Sequence, residues 1–137
     1  KMGTTITFSD DVLRQVDDQQ AITIGETYTM ADSGKTILVS GTGGTVTLPA
    51  PTAGFKIKFV TSGGLTSANT VIAGGTADVM EGSMIVAGAV VDVDAADQIN
   101  FVHTADNKGD FVEITSDGSA YFVFGNALES GGLTATG

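Results

Sequence analysis

Apolar and polar positions alternate with a period of two along most of this chain, the pattern of strands with one face buried and the other wet. It is cleanest over residues 55–59, where Phe55, Ile57 and Phe59 alternate with Lys56 and Lys58. That phase sends the aromatic and aliphatic side chains inward and both lysines outward. Shorter runs rich in β-branched residues occupy 4–8, 21–24, 27–30, 36–39, 45–48, 70–73 and 90–93, separated by Gly, Asp, Ser and Asn. Pro49 and Pro51 end the strand before them, since proline cannot donate to an interior ladder. Residues 62–88 are less regular, with short strands expected at 79–80 and 84–87 around Glu81-Gly82-Ser83.

The stretch 97–125 reads as a meander: strands at 99–103, 111–115 and 120–124 joined by two tight turns. Asp117-Gly118 between aromatic and β-branched runs is a strong hairpin signal, and Asn107-Lys108-Gly109 suits a longer hairpin loop with Gly109 at positive φ. Phe101, Phe111, Phe122, Phe124 and Tyr121 fall here, so the meander is expected to supply much of the core. At the other end Ser9 can cap a short helix, with Asp10 and Asp11 in its first turn and Val12, Leu13 and Val16 on one side. The tail from Asn126, with Ser130-Gly131-Gly132 and few apolar anchors, is expected to be loose or ordered only against a partner. The expected organisation is an arm with a short helix over residues 1–20, a β domain over 21–125 and a tail over 126–137. The expected fold is all-β, a single-domain antiparallel sandwich or barrel, jelly-roll-like.

Composition narrows the function more than the fold. The 137 residues carry six Lys and Arg against sixteen Asp and Glu, a net charge of −10. So few cations cannot hold a phosphate backbone by counterion release, which argues against nucleic acid as a partner. No apolar run approaches the ~18–20 residues of a membrane span, the N-terminus lacks the apolar core of a signal peptide, and no membrane partner is expected. Cysteine is absent, removing disulfides and thiolate chemistry.

The candidate chemical groups read mostly as structure. Gly41-Thr42-Gly43-Gly44 and Ser62-Gly63-Gly64 are not followed by Lys-Ser/Thr opening a helix, so they read as strand connections and not phosphate loops. Asp92, Asp94 and Asp97 are the densest carboxylates, but the glycine and terminal glutamate of a calcium loop are missing, and no metal is assigned. Asp106, Asn107 and Asp110 suit a turn. His103, the single histidine, reads as packed in a strand. With no Trp and two Tyr, a sugar-stacking platform has little to draw on. No catalytic constellation and no cofactor site emerge, and the chain is not expected to be an enzyme.

Two segments carry a resemblance. Residues 46–59, VTLPAPTAGFKIKF, and residues 114–123, ITSDGSAYFV, are similar to strand-and-turn patterns in small β-structured virion proteins of tailed bacteriophages, namely head decoration (cement) proteins and tail-fibre modules. The likeness covers roughly residues 45–61 and 97–126. It implies a structural protein on the outer capsid surface that binds the major capsid protein, stabilises the shell, and forms a homotrimer through its terminal segments. Contact is then expected at Thr5, Ile6, Phe8 and Leu13 in the arm, at Lys56 and Lys58 on the one strand with paired outward cations, and at Leu128 and Leu133 in the tail. The net negative charge suits an outer face over a DNA-filled interior. The alternatives are a tail-fibre or receptor-binding module recognising a host surface glycan, and a carbohydrate-binding or adhesin domain.

Overall fold

The computed structural model describes residues 19–137, and over them the chain is all β. Its strands are β1 (Gln19–Ala21), β2 (Thr36–Gly41), β3 (Gly44–Thr47), β4 (Lys56–Leu65), β5 (Thr70–Ala73), β6 (Met80–Val86), β7 (Ala89–Ala96), β8 (Gln98–Phe101), β9 (Phe111–Ser116), β10 (Tyr121–Ala127) and β11 (Leu133–Thr136), with one 3-10 turn at Met30–Asp32. They form a seven-stranded sheet in the order β1-β2-β4-β9-β10-β6-β7 and a four-stranded sheet in the order β11-β8-β5-β3. The two sheets close on one core as a sandwich.

The sheets are mixed, where the sequence pattern suggested antiparallel pairing. β1 with β2, β2 with β4, β3 with β5, and β6 with β10 run parallel. For β2 with β4 and for β3 with β5 the cause lies in the route of the chain. β2, β3, β4 and β5 alternate between the sheets, so a strand returns to its own sheet only after crossing the other, and it returns running the same way.

The alternation at 55–59 appears as expected: Phe55, Ile57 and Phe59 are buried and Lys56 is exposed. Phe59 meets Tyr28 edge-on with ring centroids 5.9 Å apart, and Phe55 meets Tyr121 at 6.1 Å. Full burial of one such side chain is worth roughly 1.5–3 kcal/mol. The Tyr121 hydroxyl donates to the Pro49 carbonyl at 2.5 Å, tying β10 to the turn after β3.

The meander divides between the sheets. β8 joins the four-stranded sheet, and residues 102–110 carry the chain across to β9. The Asn107-Lys108-Gly109 turn therefore belongs to a crossing, not to a hairpin, although Gly109 does take positive φ, 95°. β9 and β10 do form a hairpin. Its loop has four residues between Ser116 and Tyr121, with the Asp117 carboxylate accepting from the N–H groups of Ser119 (2.8 Å) and Ala120 (3.0 Å) and Gly118 at φ 104°. Further hairpin chemistry lies at Ala87-Gly88, both at positive φ, joining β6 to β7. Of residues 21–30, Ala21 is in β1 and Thr27 makes one bridge to Thr47; the intervening backbone covers the edge of β3 through Gly25 N–H to Thr45 O and Tyr28 N–H to Thr47 O.

The C-terminal segment is not a tail. β10 continues through Asn126 and Ala127, and β11 pairs antiparallel with β8, which places Leu133 in the core at 1% exposure. The few apolar residues there are well placed instead of numerous. The expected helix capped by Ser9, and the arm as far as Asp18, lie outside the described residues.

Candidate functional site

One face of the seven-stranded sheet packs on the core; the other is open. Its makeup follows from register, because residues directly opposite in neighbouring strands share a face. One row across β4, β9, β10, β6 and β7 reads Val60, Phe111, Asn126, Ile85, Val90. The next reads Lys58, Glu113, Phe124, Ser83, Asp92. The third begins Lys56, Thr115, Phe122, Glu81 and ends at a bulge, where Asp94 and Ala95 both oppose Glu81. Glu81 fixes that bulge by accepting the Ala95 N–H at 3.3 Å.

The face is aromatic at its centre. Phe122 and Phe124 are 46% and 45% exposed, and Val90 is 76% exposed. Phe124 meets Phe111 edge-on at 6.1 Å, and the Lys58 ammonium lies 5.0 Å from the centroid of the Phe111 ring. Such a contact is worth about 0.5–1 kcal/mol at an exposed site and holds Lys58 down on the sheet. A folded surface rarely leaves several large apolar side chains together on one open face without a contact to make.

The lysines lie on the β4 side, where Glu113 of β9 stands beside Lys58, and the other carboxylates of the face lie on the far side. Lys56 and Lys58, with Lys35, Thr36, Glu113 and Thr115, line a groove of about 250 Å³. Lys35 pairs with Asp32 at 2.7 Å and donates to the Gln20 side-chain carbonyl at 2.9 Å. Burial works against the Asp32 carboxylate, but the Lys35 ammonium and the Thr29 N–H outweigh it and hold the group below the usual carboxylate range. On the opposite side Glu81, Asp92 and Asp94 present carboxylates from β6 and β7.

The other expected contact residues separate. Lys56 and Lys58 stand together on the open face, and Leu128 is exposed just past β10. Leu133 is a core residue and unavailable to a partner. Thr5, Ile6, Phe8 and Leu13 lie outside the described residues. Asp97 does not join Asp92 and Asp94: it sits in the bend before β8, and its carboxylate accepts the Asp78 N–H at 2.7 Å. Among the described residues no three His, Asp or Glu side chains converge as a metal site.

Asp106 and Asp110 hold loops, accepting from Leu65 N–H and from Asn107 and Leu128 N–H respectively. His103 is not in a strand; it follows β8, its N–H donating to the Asn69 side chain at 3.1 Å and its ring nitrogen 3.4 Å from the same oxygen. Ser62-Gly63-Gly64 lies inside β4, while Gly41-Thr42-Gly43-Gly44 turns between β2 and β3.

Sequence reasoning missed the aromatic centre of this face. In Tyr121-Phe122-Val123-Phe124 both phases are apolar, so periodicity alone cannot say which looks outward. The signal lay one strand away: Glu113 and Thr115 mark the wet phase of β9, and hairpin register places Phe124 and Phe122 beside them. The arrangement offers a broad contact surface, aromatic at its centre and grooved along β4. No family model, curated protein or solved structure matches the chain.

Proposed function

We propose that this chain is a structural virion protein that binds the outer surface of a phage capsid and stabilises it, without catalysis. The observation that carries the reading is the open aromatic face of the seven-stranded sheet, which fits a protein that works through contacts within an assembly and not through a reaction. The resemblance of residues 46–59 and 114–123 to decoration proteins supplies the kind of assembly. The excess of carboxylates suits the outside of a particle.

The test mixes purified protein with capsids that lack it and measures occupancy and rupture temperature. Binding with a raised rupture temperature is expected. Removal of residues 1–18, which leaves β1 intact, is expected to lower occupancy while the β core still melts as before. A full-length protein that neither binds nor shifts rupture would refute the proposal and favour the receptor-binding alternative.

A further inference from the structure

We propose that a second copy of this chain seats on the open face of the seven-stranded sheet, paired about a twofold axis that runs between the two faces along β10. The inference rests on reading that face as a protein contact surface. Its basis is the self-complementarity of the face. Next to β10 lie β9 then β4 on one side and β6 then β7 on the other, with β2 and β1 extending the sheet past β4. At ~4.8 Å per strand, β4 and β7 each lie about 10 Å from it. A half-turn about an axis along β10 exchanges β4 with β7 and β9 with β6, and leaves position along the strands unchanged.

Each row then meets its complement. In the first, Val60 of one copy faces Val90 of the other, and Phe111 faces Ile85. In the second, Lys58 faces Asp92, and Phe124 meets its own counterpart on the axis. In the third, Lys56 faces Asp94, and Phe122 meets Phe122. An isologous twofold contact requires this reciprocity. The same face argues against the other in-plane axis. An axis across the strands would oppose β4 to β4 and β7 to β7, setting lysine against lysine and aspartate against aspartate, which costs several kcal/mol. Sheets packed face to face lie ~10 Å apart with strands within about 30° of each other. Five strands at ~4.8 Å, each roughly 20 Å long, give a projected face of about 500 Å² per copy, smaller than the ~800 Å² per partner of a standard interface and in the range of a weaker pairing.

The experiment has two arms. Sedimentation equilibrium of the full chain is expected to show mass rising toward twice the 13.8 kDa of one chain. Lys58→Asp or Asp92→Lys alone should weaken pairing at least about tenfold, and the two together should restore it. In the second arm Phe124→Cys, in a chain with no other cysteine, is joined by a short bismaleimide; faces ~10 Å apart are too distant for a disulfide. Efficient covalent pairing is expected there and not with Thr45→Cys, an exposed site on the four-stranded sheet.

A single-chain mass up to about 1 mM, a three-chain mass, equal cross-linking at Thr45, or no rescue in the double variant would each overturn the proposal. Capsid occupancy of Phe124→Ser separates the two readings. If occupancy falls while the parent is a monomer, the face is a contact surface whose occupant is not a second copy. If neither property changes, the contact-surface reading fails as well.

Discussion

Replacing Gly82 by alanine tests the geometry on which the open face depends. Gly82 sits at φ 136° beside the bulge of β6. A Cβ there would collide with the Val123 carbonyl oxygen and lie 3.0 Å from the Val123 nitrogen. Both atoms are backbone of β10, so no side chain can swing aside. The backbone conformation alone costs roughly 1–3 kcal/mol for a residue with a side chain. Parting β6 from β10 to relieve the collision gives up one or two ladder hydrogen bonds at about 1 kcal/mol each. The total is ~2–5 kcal/mol.

Gly118→Ala is the matched control. Its φ of 104° is also strained, but its Cβ meets only Ala53, at an ordinary 3.5 Å, so about 1–2 kcal/mol is expected; Gly118→Val should cost somewhat more through its β-branch. For a domain of this size 1 kcal/mol moves the melting temperature by roughly 3–5 °C. Calorimetry at neutral pH should place Gly82→Ala roughly 6–25 °C below the parent and Gly118→Ala roughly 3–10 °C below, with Gly82→Ala the lower of the two. Equal shifts in the two variants would refute the close approach of β6 and β10 at Gly82.

Three further outcomes are expected. Tyr121→Phe should lose about 1 kcal/mol in urea titration, because the hydroxyl bonded to Pro49 O is removed; burial pushes that hydroxyl's pKa up to about 12, so the loss should be the same at pH 6 and pH 9. Asp32 and Asp117 are held below the usual range, Asp32 by Lys35 and Thr29 against the effect of burial, and Asp117 by the Ser119 and Ala120 N–H groups. Stability from each is complete above the unfolded value near ~4 and lost as pH falls through the lowered folded value, so Asp→Asn at either site should flatten the decline in melting temperature on acidification below pH ~4. Deleting residues 128–137 should abolish the cooperative melt, since it removes β11 from the edge of β8 and Leu133 from the core; a truncated chain that melts like the parent would refute the role of β11.

The sequence was most legible where chemistry differs between the two faces of a strand. Residues 55–59 show both phase and exposure because lysine and phenylalanine cannot exchange places cheaply. Gly109 and Gly118 announce their positive φ because other residues avoid it. Tyr121–Phe124 hides its phase because either face could be core, and only pairing with Glu113 and Thr115 decides. β11 escaped notice because two residues, Leu133 and Ala135, anchor it, too few for any periodic signal. The parallel pairings were invisible for a different reason: strand direction depends on where the chain has been, not on local composition. Lys56 and Lys58 were legible as outward cations, but only the fold shows that Glu113 of β9 stands beside Lys58 and that Asp92 and Asp94 of β7 share the same face.

β10 pairs on one side with β9, its neighbour in sequence, and on the other with β6, about forty residues earlier. Beyond it, β11 must still arrive to finish the smaller sheet. Until these late strands leave the ribosome, β6 and β8 each expose an unsatisfied edge beside apolar side chains. Pairings so distant along the chain close slowly, because the entropy of the intervening loop is lost before the contacts form. Until β10 and β11 emerge, the growing chain must therefore stay soluble without a finished sheet. Its sixteen carboxylates against six cations supply the mutual repulsion that keeps such half-made chains apart.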